Sequence, residues 1–473
     1  MGCSSIDRPA RPSTRTVWFL WLLARCLTPS ASGDTGALDL NFDPGRGADD
    51  IVRAIVVERG GSLLLGGSFR RFDTNACAGL VRLGPDGRMD TAFAPTSDGL
   101  CNTIALQTNG QFVVGGSFSE IAGAARRHLA RFHSGSELDE EFAPNLAPDD
   151  SVWALAVQDD GRILVGGYLS RIGDQAIRGL TRLLPGGEPD PEFRVGTGTE
   201  GGVGALVVQP DSRILVGGDF VSFNNVPRAG LVRLWPDGRV DETFDAELTG
   251  SFPRVNTLAL QADGGVLIGG RYESVQGGSR YGIARLGENG RLDPLFAAAR
   301  GLGEPHHEVR SIVFGQQGAL WVAGSFWRIA NTEAQHVALL RADGDIDPKF
   351  HPCGGISGGV TRIAVQPDGH LLLVGDFNYV NHLWRPGVAR LIGQSPSAHQ
   401  SVPQGIHLQD GVPQLRFDTT PGQRYTVEAS PDLETWCAWV SGTFFARSVT
   451  IPIPTSFLGE QQYFRTGAAP GER

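Results

Sequence analysis

The sequence predicts an all-β fold, a seven-bladed β-propeller closed by an N-terminal outer strand and followed by a small β-sandwich. Three observations predict it. A glycine pair inside an apolar run recurs seven times, its second member at Gly67, Gly116, Gly167, Gly218, Gly270, Gly324 and Gly375, in steps of 49, 51, 51, 52, 54 and 51 residues. A fixed period near fifty marks a repeat architecture. An Asp-x-x-Phe motif also occurs seven times, ending at Phe42, Phe93, Phe142, Phe193, Phe244, Phe296 and Phe350. No segment holds a sustained 3.6-residue period, so helix should be nearly absent.

The repeat at residues 203–244 shows how each blade is built. Val203-Gly-Ala-Leu-Val-Val-Gln209 alternates and reads as a first strand. Pro210-Asp-Ser-Arg213 is a turn, and Ile214-Leu-Val-Gly-Gly-Asp-Phe220 is a second strand. A loop of about ten residues leads to a third run, Gly230-Leu-Val-Arg-Leu-Trp235. A further turn, Pro236-Asp-Gly238, precedes a short fourth run ending at Phe244. Short alternating segments bounded by Pro, Asp and Gly are strands joined by hairpins. Four such strands in each of seven copies give propeller blades, whereas β-solenoid repeats are shorter.

The two motif series are out of phase. The first Asp-x-x-Phe, Asp39–Phe42, precedes the first glycine pair, and the seventh repeat ends at Val388-Ala-Arg-Leu-Ile392 without its own copy. The N-terminal segment is therefore expected to pair with Val388–Leu391 as the outer strand of blade 7, which removes an open edge. Glycine inside a strand marks a bulge or a close backbone approach, as expected where blades crowd an axis. The first glycine gives way to Ala323 and Val374 in blades 6 and 7, so only the second position is strict. The phenylalanines are expected to wedge between adjacent sheets.

The segments Gln-Pro-Asp-Gly, Ile-Leu-Val-Gly-Gly, Ala-Arg-Leu and Asp-x-x-Phe, in that order over residues 37–393, resemble the delta-60 repeat family of bacterial proteins. The resemblance implies an exported propeller-like protein and transfers no catalytic residue. Blade 6 departs from the pattern, with Leu339 where the other blades have Arg82, Arg131, Arg182, Arg233, Arg285 and Arg390. Residues 394–403 read as a linker. Residues 404–467 hold six alternating runs that suit a small β-sandwich. Gly422 to Trp436 and Tyr463-Phe-Arg465 resemble a C-terminal module of exported proteins from Verrucomicrobia and their relatives, which implies an accessory or display element.

Arg8, Arg11 and Arg15 before the short apolar run Val17–Ala24 read as a signal peptide over residues 1–33. No other stretch is long and apolar enough to cross a bilayer. The chain of 473 residues carries a net charge of −10. Four arginines and one aspartate lie in residues 1–33, so removing them moves the charge to −13. This acidity argues against nucleic acid and anionic membrane as partners. The expected location is periplasm, cell surface or medium.

Motifs for cofactors and metals fail on context. Gly196-Thr-Gly-Thr-Glu-Gly201 fits a dinucleotide fingerprint, but a strand rather than a helix follows it. Asp343-Gly-Asp-Ile-Asp347 has alternating carboxylates without the glycine and glutamate of a calcium loop. His306-His307-Glu308 lacks a third ligand. Ser430–Trp436 is a degenerate Asp-box outside the blades. No cofactor, metal or catalytic set is assigned.

Two sets of residues remain as candidates. Arg126, Arg228, Arg280 and Arg385 lie five residues before the third-strand position of their blades, and Arg178 four before it in blade 3. The loops that carry them share one face, where they form a candidate site for an acidic or glycan ligand or pair with acids such as Asp245. Cys77 and Cys101 fall on that face in adjacent blades and are expected to form a disulfide. The sequence reads as an exported binding or cell-envelope interaction module whose partner is an extracellular protein or glycan. The alternative is a propeller enzyme acting on extracellular polymers.

Overall fold

The computed structural model describes residues 35–93, 95–297, 301–302, 307–329, 332–348, 350, 354–393, 399–401, 403–409, 412–418, 423–430, 437–444, 448–453 and 463–468. The signal-peptide reading, His306, most of the linker and the Asp-box lie outside these residues. The described chain is almost entirely strand and turn, with one three-residue 3-10 helix at Gln316–Gly318.

Seven antiparallel sheets carry the repeat. In blade 4 the inner strand Val203–Val208 pairs with Ile214–Gly218, which pairs with Leu231–Leu234. The other six blades repeat this order. The inner strand of each blade lies against that of the next, and the inner strand of blade 7, Val360–Val365, lies against Val52–Val57 of blade 1. The seven sheets thus surround one axis. The ten-residue loop holds a two-stranded hairpin, such as Ser222–Phe223 with Val226–Pro227, that alternation did not reveal. The fourth strand is reduced to a single bridge, as in Leu234↔Val240.

The third-strand arginine works as a clamp between blades. Arg131, Arg182, Arg233 and Arg285 pair with Asp139, Asp190, Asp241 and Asp293 of their own Asp-x-x-Phe at 2.7–2.8 Å. Each guanidinium also stacks on the phenylalanine of that motif; Arg233 lies 4.7 Å from the Phe244 ring centre. Its far end donates to a turn carbonyl of the next blade, as from Arg182 to Pro236 at 2.6 Å. One side chain therefore satisfies a buried carboxylate, covers an aromatic face and fixes the spacing of two sheets.

Blade 7 uses the N-terminal segment in the same way. Leu38–Asp39 pairs antiparallel with Val388–Leu391, with Leu38 opposite Leu391. Arg390 pairs with Asp39 at 2.8 Å, stacks on Phe42 at 5.0 Å and donates to Pro85 of blade 1 at 2.7 Å. Blade 1 differs in detail: Arg82 stacks on Phe93 at 4.4 Å but pairs with Glu58, at 3.0 Å, where most blades have glutamine.

Blade 6 has no clamp. Trp321 sits opposite Leu339 and meets Phe350 edge-on at 4.8 Å. These residues share one apolar cluster with Leu415, Phe417, Trp439 and Ile451 of the C-terminal region. The departure at Leu339 goes with its surroundings: among the described residues no turn after the third strand of blade 7 accepts a guanidinium, and apolar C-terminal side chains share the cluster of Trp321, Leu339 and Phe350.

The C-terminal strands meet the N-terminal segment. Cys437–Phe444 pairs in parallel with Leu38–Asp39, placing Val440 opposite Leu38, so its sheet continues that of blade 7. A second sheet, from Pro403–Gln409, Val412–Asp418 and Ser448–Pro452, contributes to the same apolar cluster. Asn381 ties the units together. Its side-chain amide donates to the carbonyls of Gly36 and Trp439, and the Trp439 indole donates to the Asn381 carbonyl.

Cys77 and Cys101 are free and buried, so the expected disulfide is not formed. Cys77 packs with Phe69, Leu63 and Leu65 in the wedge between blades 7 and 1, whereas Cys101 packs with Leu64, Phe93 and Phe118 in the wedge between blades 1 and 2. Successive strand residues point to opposite faces, and the sheet of blade 1 separates the two thiols. Burial pushes the Cys77 thiol up to about 11 and that of Cys101 up to about 12, so neither is a ready thiolate. Cys437 is disulfide-bonded to a partner outside the described residues.

Candidate functional site: the axial cavity

The site begins with the strict glycine. A Cβ at Gly218 would lie 2.0 Å from the carbonyl oxygen of Gly202, and one at Gly116 would lie 1.8 Å from that of Leu100. The start of each inner strand can press against its neighbour only because no side chain stands there. The first glycine faces a side chain instead, Val255 Cγ1 at 2.8 Å from a Cβ at Gly217, which explains why blades 6 and 7 tolerate Ala323 and Val374.

That approach accompanies a β-bulge at the same place in every inner strand. The extra residues are Arg53, Asn102, Trp153, Gly204, Asn256, Arg310 and Thr361. Bulges re-aim side chains and recur beside functional sites. All seven residues line a single axial cavity of about 430 Å³, within the range of small-molecule sites.

Charge in the cavity is arranged unevenly. Four arginines (Arg53, Arg254, Arg310 and Arg362) face three carboxylates (Asp219, Glu308 and Asp376), leaving one positive charge. Arg254 pairs with Asp219 at 2.7 Å, and Arg310 pairs with Glu308 at 2.6 Å. The other two arginines form no ion pair among the described residues. Arg53 donates from Nε to Ser68 Oγ at 3.0 Å. Arg362 uses one terminal nitrogen for the carbonyls of Arg310 and Thr361, both at 2.9 Å. Arg310, Arg362 and Arg53 stand on consecutive blades 6, 7 and 1. Burial and the nearby Arg310 charge lower the pKa of Arg362, and burial chiefly lowers that of Arg53. Burial disfavours both charged guanidinium groups, although Asp50 and Asp376 partly offset it at Arg53.

The side around blade 3 is aromatic. Trp153 is 37% exposed and Tyr168 is 48% exposed. The Trp153 ring centre lies 6.0 Å from the Arg53 guanidinium carbon. Tyr168 donates its hydroxyl to Asp219, which also accepts from the Gly202 amide at 2.7 Å. Burial raises the Asp219 pKa, but the hydrogen bonds from Tyr168 and Arg254 outweigh it and hold the carboxyl below its ordinary range. At Gly204 a Cβ would meet nothing nearer than 4.0 Å, so the absent side chain there leaves room in the cavity.

The arginines singled out from the sequence lie elsewhere. None of Arg126, Arg178, Arg228, Arg280 and Arg385 lines the cavity. They stand at the hairpins on the same end of the blades as the cavity mouth. Arg228 pairs with Asp245 at 2.8 Å and donates to the carbonyl of Pro227 at 2.8 Å. Arg126 and Arg385 donate to the carbonyls of Ala125 and Trp384, and Arg280 donates to that of Ser279. Arg178 is exposed. Of the weaker motifs, only Glu308 from His306-His307-Glu308 reaches the cavity. The loop Gly196–Gly201 runs into a strand.

The bulge residues escaped the sequence reading because the repeat was read for what recurs. Their signal is the opposite. Between small or apolar neighbours (Val52-x-Ala54, Val152-x-Ala154, Val255-x-Thr257) the seven copies carry Arg, Asn, Trp, Gly, Asn, Arg and Thr.

Seven segments of the chain, residues 61–93, 107–142, 158–193, 209–244, 261–296, 318–350 and 366–391, match the family "Domain of unknown function (DUF5122) beta-propeller". A comparison with the curated proteins finds no match. Among solved structures, the chain is similar to two extracellular domains of hybrid two-component systems from B. thetaiotaomicron. One is 12% identical with a TM-score of 0.46, over 85% of this chain and 52% of that one. The other is 9% identical with a TM-score of 0.46, over 88% and 53%. A gluconolactonase from Xanthomonas campestris is 15% identical with a TM-score of 0.37, over 75% and 98%. The chain thus spans about half the length of the two extracellular domains.

Proposed function

We propose that this repeat β-propeller protein is an exported binding module whose ligand is a small anion held in the axial cavity. The observation that carries the reading is the ring of seven bulge residues around one cavity, with Arg310, Arg362 and Arg53 on three consecutive blades and only Arg310 ion-paired. An anion between them would relieve the crowding of positive charge and make charge-assisted hydrogen bonds. The N-terminal strand closes the propeller, and the C-terminal strands form an accessory sandwich against blades 6 and 7. The basic N-terminal segment ahead of a short apolar run supports export.

Binding is favoured over the alternative of a polymer-cleaving enzyme. Glycoside hydrolysis needs a carboxylic acid kept protonated beside a second carboxylate. Here Asp219 is held ionised by Tyr168 and Arg254, and Glu308 is paired with Arg310.

The test is a thermal-shift screen of the full chain with small carboxylates, phosphate and neutral analogues. Anions should stabilise the wild type and fail to stabilise the Arg53→Gln, Arg362→Gln variant. Stabilisation by neutral compounds alone, or equal stabilisation of both proteins, would refute the reading. Recovery of the expressed protein only from the cytoplasmic fraction would refute export.

A further inference from the structure

We infer that the axial ligand is a sugar acid, a pyranose bearing one carboxylate; this rests on the anion-binding reading above. The cavity makes three separate chemical demands. Arg53 and Arg362 have N–H groups not used by carboxylates and call for negative charge. Asp219, Glu308 and Asp376 line the cavity. Asp219 accepts from Tyr168, Arg254 and Gly202 and Glu308 from Arg310 and Asn256, which leaves each at least one of a carboxylate's roughly four acceptor positions. Asp376 accepts from no side chain among the described residues. Such acceptors call for hydroxyl donors. Trp153 presents an exposed ring beside the empty space at Gly204 and calls for an apolar face.

Simple anions meet the first demand alone. A neutral sugar meets the second and third, and an apolar carboxylate the first and third. A sugar acid meets all three, with its carboxylate toward Arg53 and Arg362, its hydroxyls toward Asp219 and Glu308, and its ring on Trp153. The distance of 6.0 Å between the Arg53 guanidinium carbon and the Trp153 ring centre places the charge site and the stacking site within one small molecule. The sign and size of the charge exclude the other obvious ring-bearing anion. The cavity holds one surplus positive charge, which suits one carboxylate, whereas a phosphate monoester brings a charge of roughly −1.5 to −2 against Glu308 and Asp376.

Calorimetric titration of the full chain with glucuronate, glucose, acetate and adenosine monophosphate tests this. Glucuronate should bind at least about tenfold more tightly than the other three, and Trp153→Ala should weaken it by about tenfold while leaving acetate unchanged. Gly204→Trp, which fills the cavity without removing a charged side chain, should abolish glucuronate binding and serves as a second variant. Acetate binding as tightly as glucuronate would overturn the sugar-acid assignment and leave the anion site standing. Glucose equal to glucuronate would remove the carboxylate from the recognition. Tighter binding of adenosine monophosphate would reassign the ligand class. No binding by any of the four would overturn the sugar-acid assignment, and the wider anion screen would then decide the cavity reading separately.

Discussion

Two rings of residues run around the same axis, and they differ in what repetition means. The outer ring is the clamp of arginine, aspartate and phenylalanine. Its arginine–phenylalanine stack recurs in six blades and its arginine–aspartate pair in five of them, because each copy solves the same problem of joining two sheets. The inner ring sits on equally regular backbone, one bulge per blade, yet its seven positions carry five residue types. A repeat protein keeps constant what every interface needs and varies what only one ligand needs. The outer ring therefore teaches stability and the inner ring teaches recognition. Each can be broken without the other.

The largest break should come at the N-terminal strand. Removing residues 34–43 takes away Leu38 and Phe42, both fully buried, each worth about 1.5–3 kcal/mol. It also strands the Arg390 charge, at about 3–5 kcal/mol. A fall in Tm of about 10 °C or more is expected, read by calorimetry. An unchanged melting curve would mean that blade 7 does not depend on this strand.

Within the outer ring, Arg233→Leu is the sharpest single test. Arg233 is 2% exposed and Asp241 is 0% exposed. Arg213, at 3.7 Å, is then the one arginine left beside the buried carboxylate among the described residues. Losing the closer partner should cost up to about 3 kcal/mol, and adding Asp241→Asn should recover part of that loss. Blade 6 gives the converse. Leu339→Arg would place a charge against Trp321 with no turn carbonyl to receive it, so it should destabilise although it restores the repeat. A neutral Leu339→Arg would mean that the apolar seam has no bearing on the departure.

Acid should loosen the outer ring. Burial tends to raise Asp139, Asp241 and Asp293, but hydrogen bonds and the nearby arginines win and hold all three below the usual carboxylate range. Their folded pKa values lie below the unfolded ones. The stability they give is therefore complete above about pH 4 and is lost as pH falls through the lowered folded values. Chemical denaturation at a series of pH values should show stability falling on acidification below about pH 4, and less so for Asp241→Asn. Equal slopes for the two proteins would remove Asp241 from the effect.

Much of the outer ring was legible in the sequence, and little of the inner one. The glycine pair, Asp-x-x-Phe and the arginine before it recur at a fixed spacing, so periodicity finds them and even locates the odd copy at Asp39. The pairing of Leu38 with Leu391 follows from that offset. Bulges leave no comparable trace, since one extra residue in a strand of six or seven does not disturb alternation enough to be seen. The loop arginines drew notice because they repeat, which is why they mark the hairpins rather than the cavity. The thiols Cys77 and Cys101 are close in sequence and share an end of the fold, but sequence does not say which face of the intervening sheet each occupies. The continuity of the C-terminal sheet with blade 7 runs through two residues, Leu38 and Asp39, and no pattern within residues 404–467 points to them.

The smallest effect is expected from the hairpin arginines, and it bears most directly on the comparison. Arg228, Arg280 and Arg385 repeat like the clamp residues but stand at the cavity's end of the blades, so they could belong to either class. Their bonds decide the expectation. Each donates to the backbone carbonyl of the preceding residue, and Arg228 also pairs with the partly exposed Asp245. Such contacts fix a hairpin, and none of the three residues lines the cavity. Changing all three to alanine should lower stability by about 1 kcal/mol per site or less, and glucuronate affinity measured by calorimetry should stay within about twofold of wild type, since no cavity contact is lost. A loss of affinity with an unchanged melting curve would transfer these arginines to recognition, and the rule that variation marks the ligand would fail in this protein.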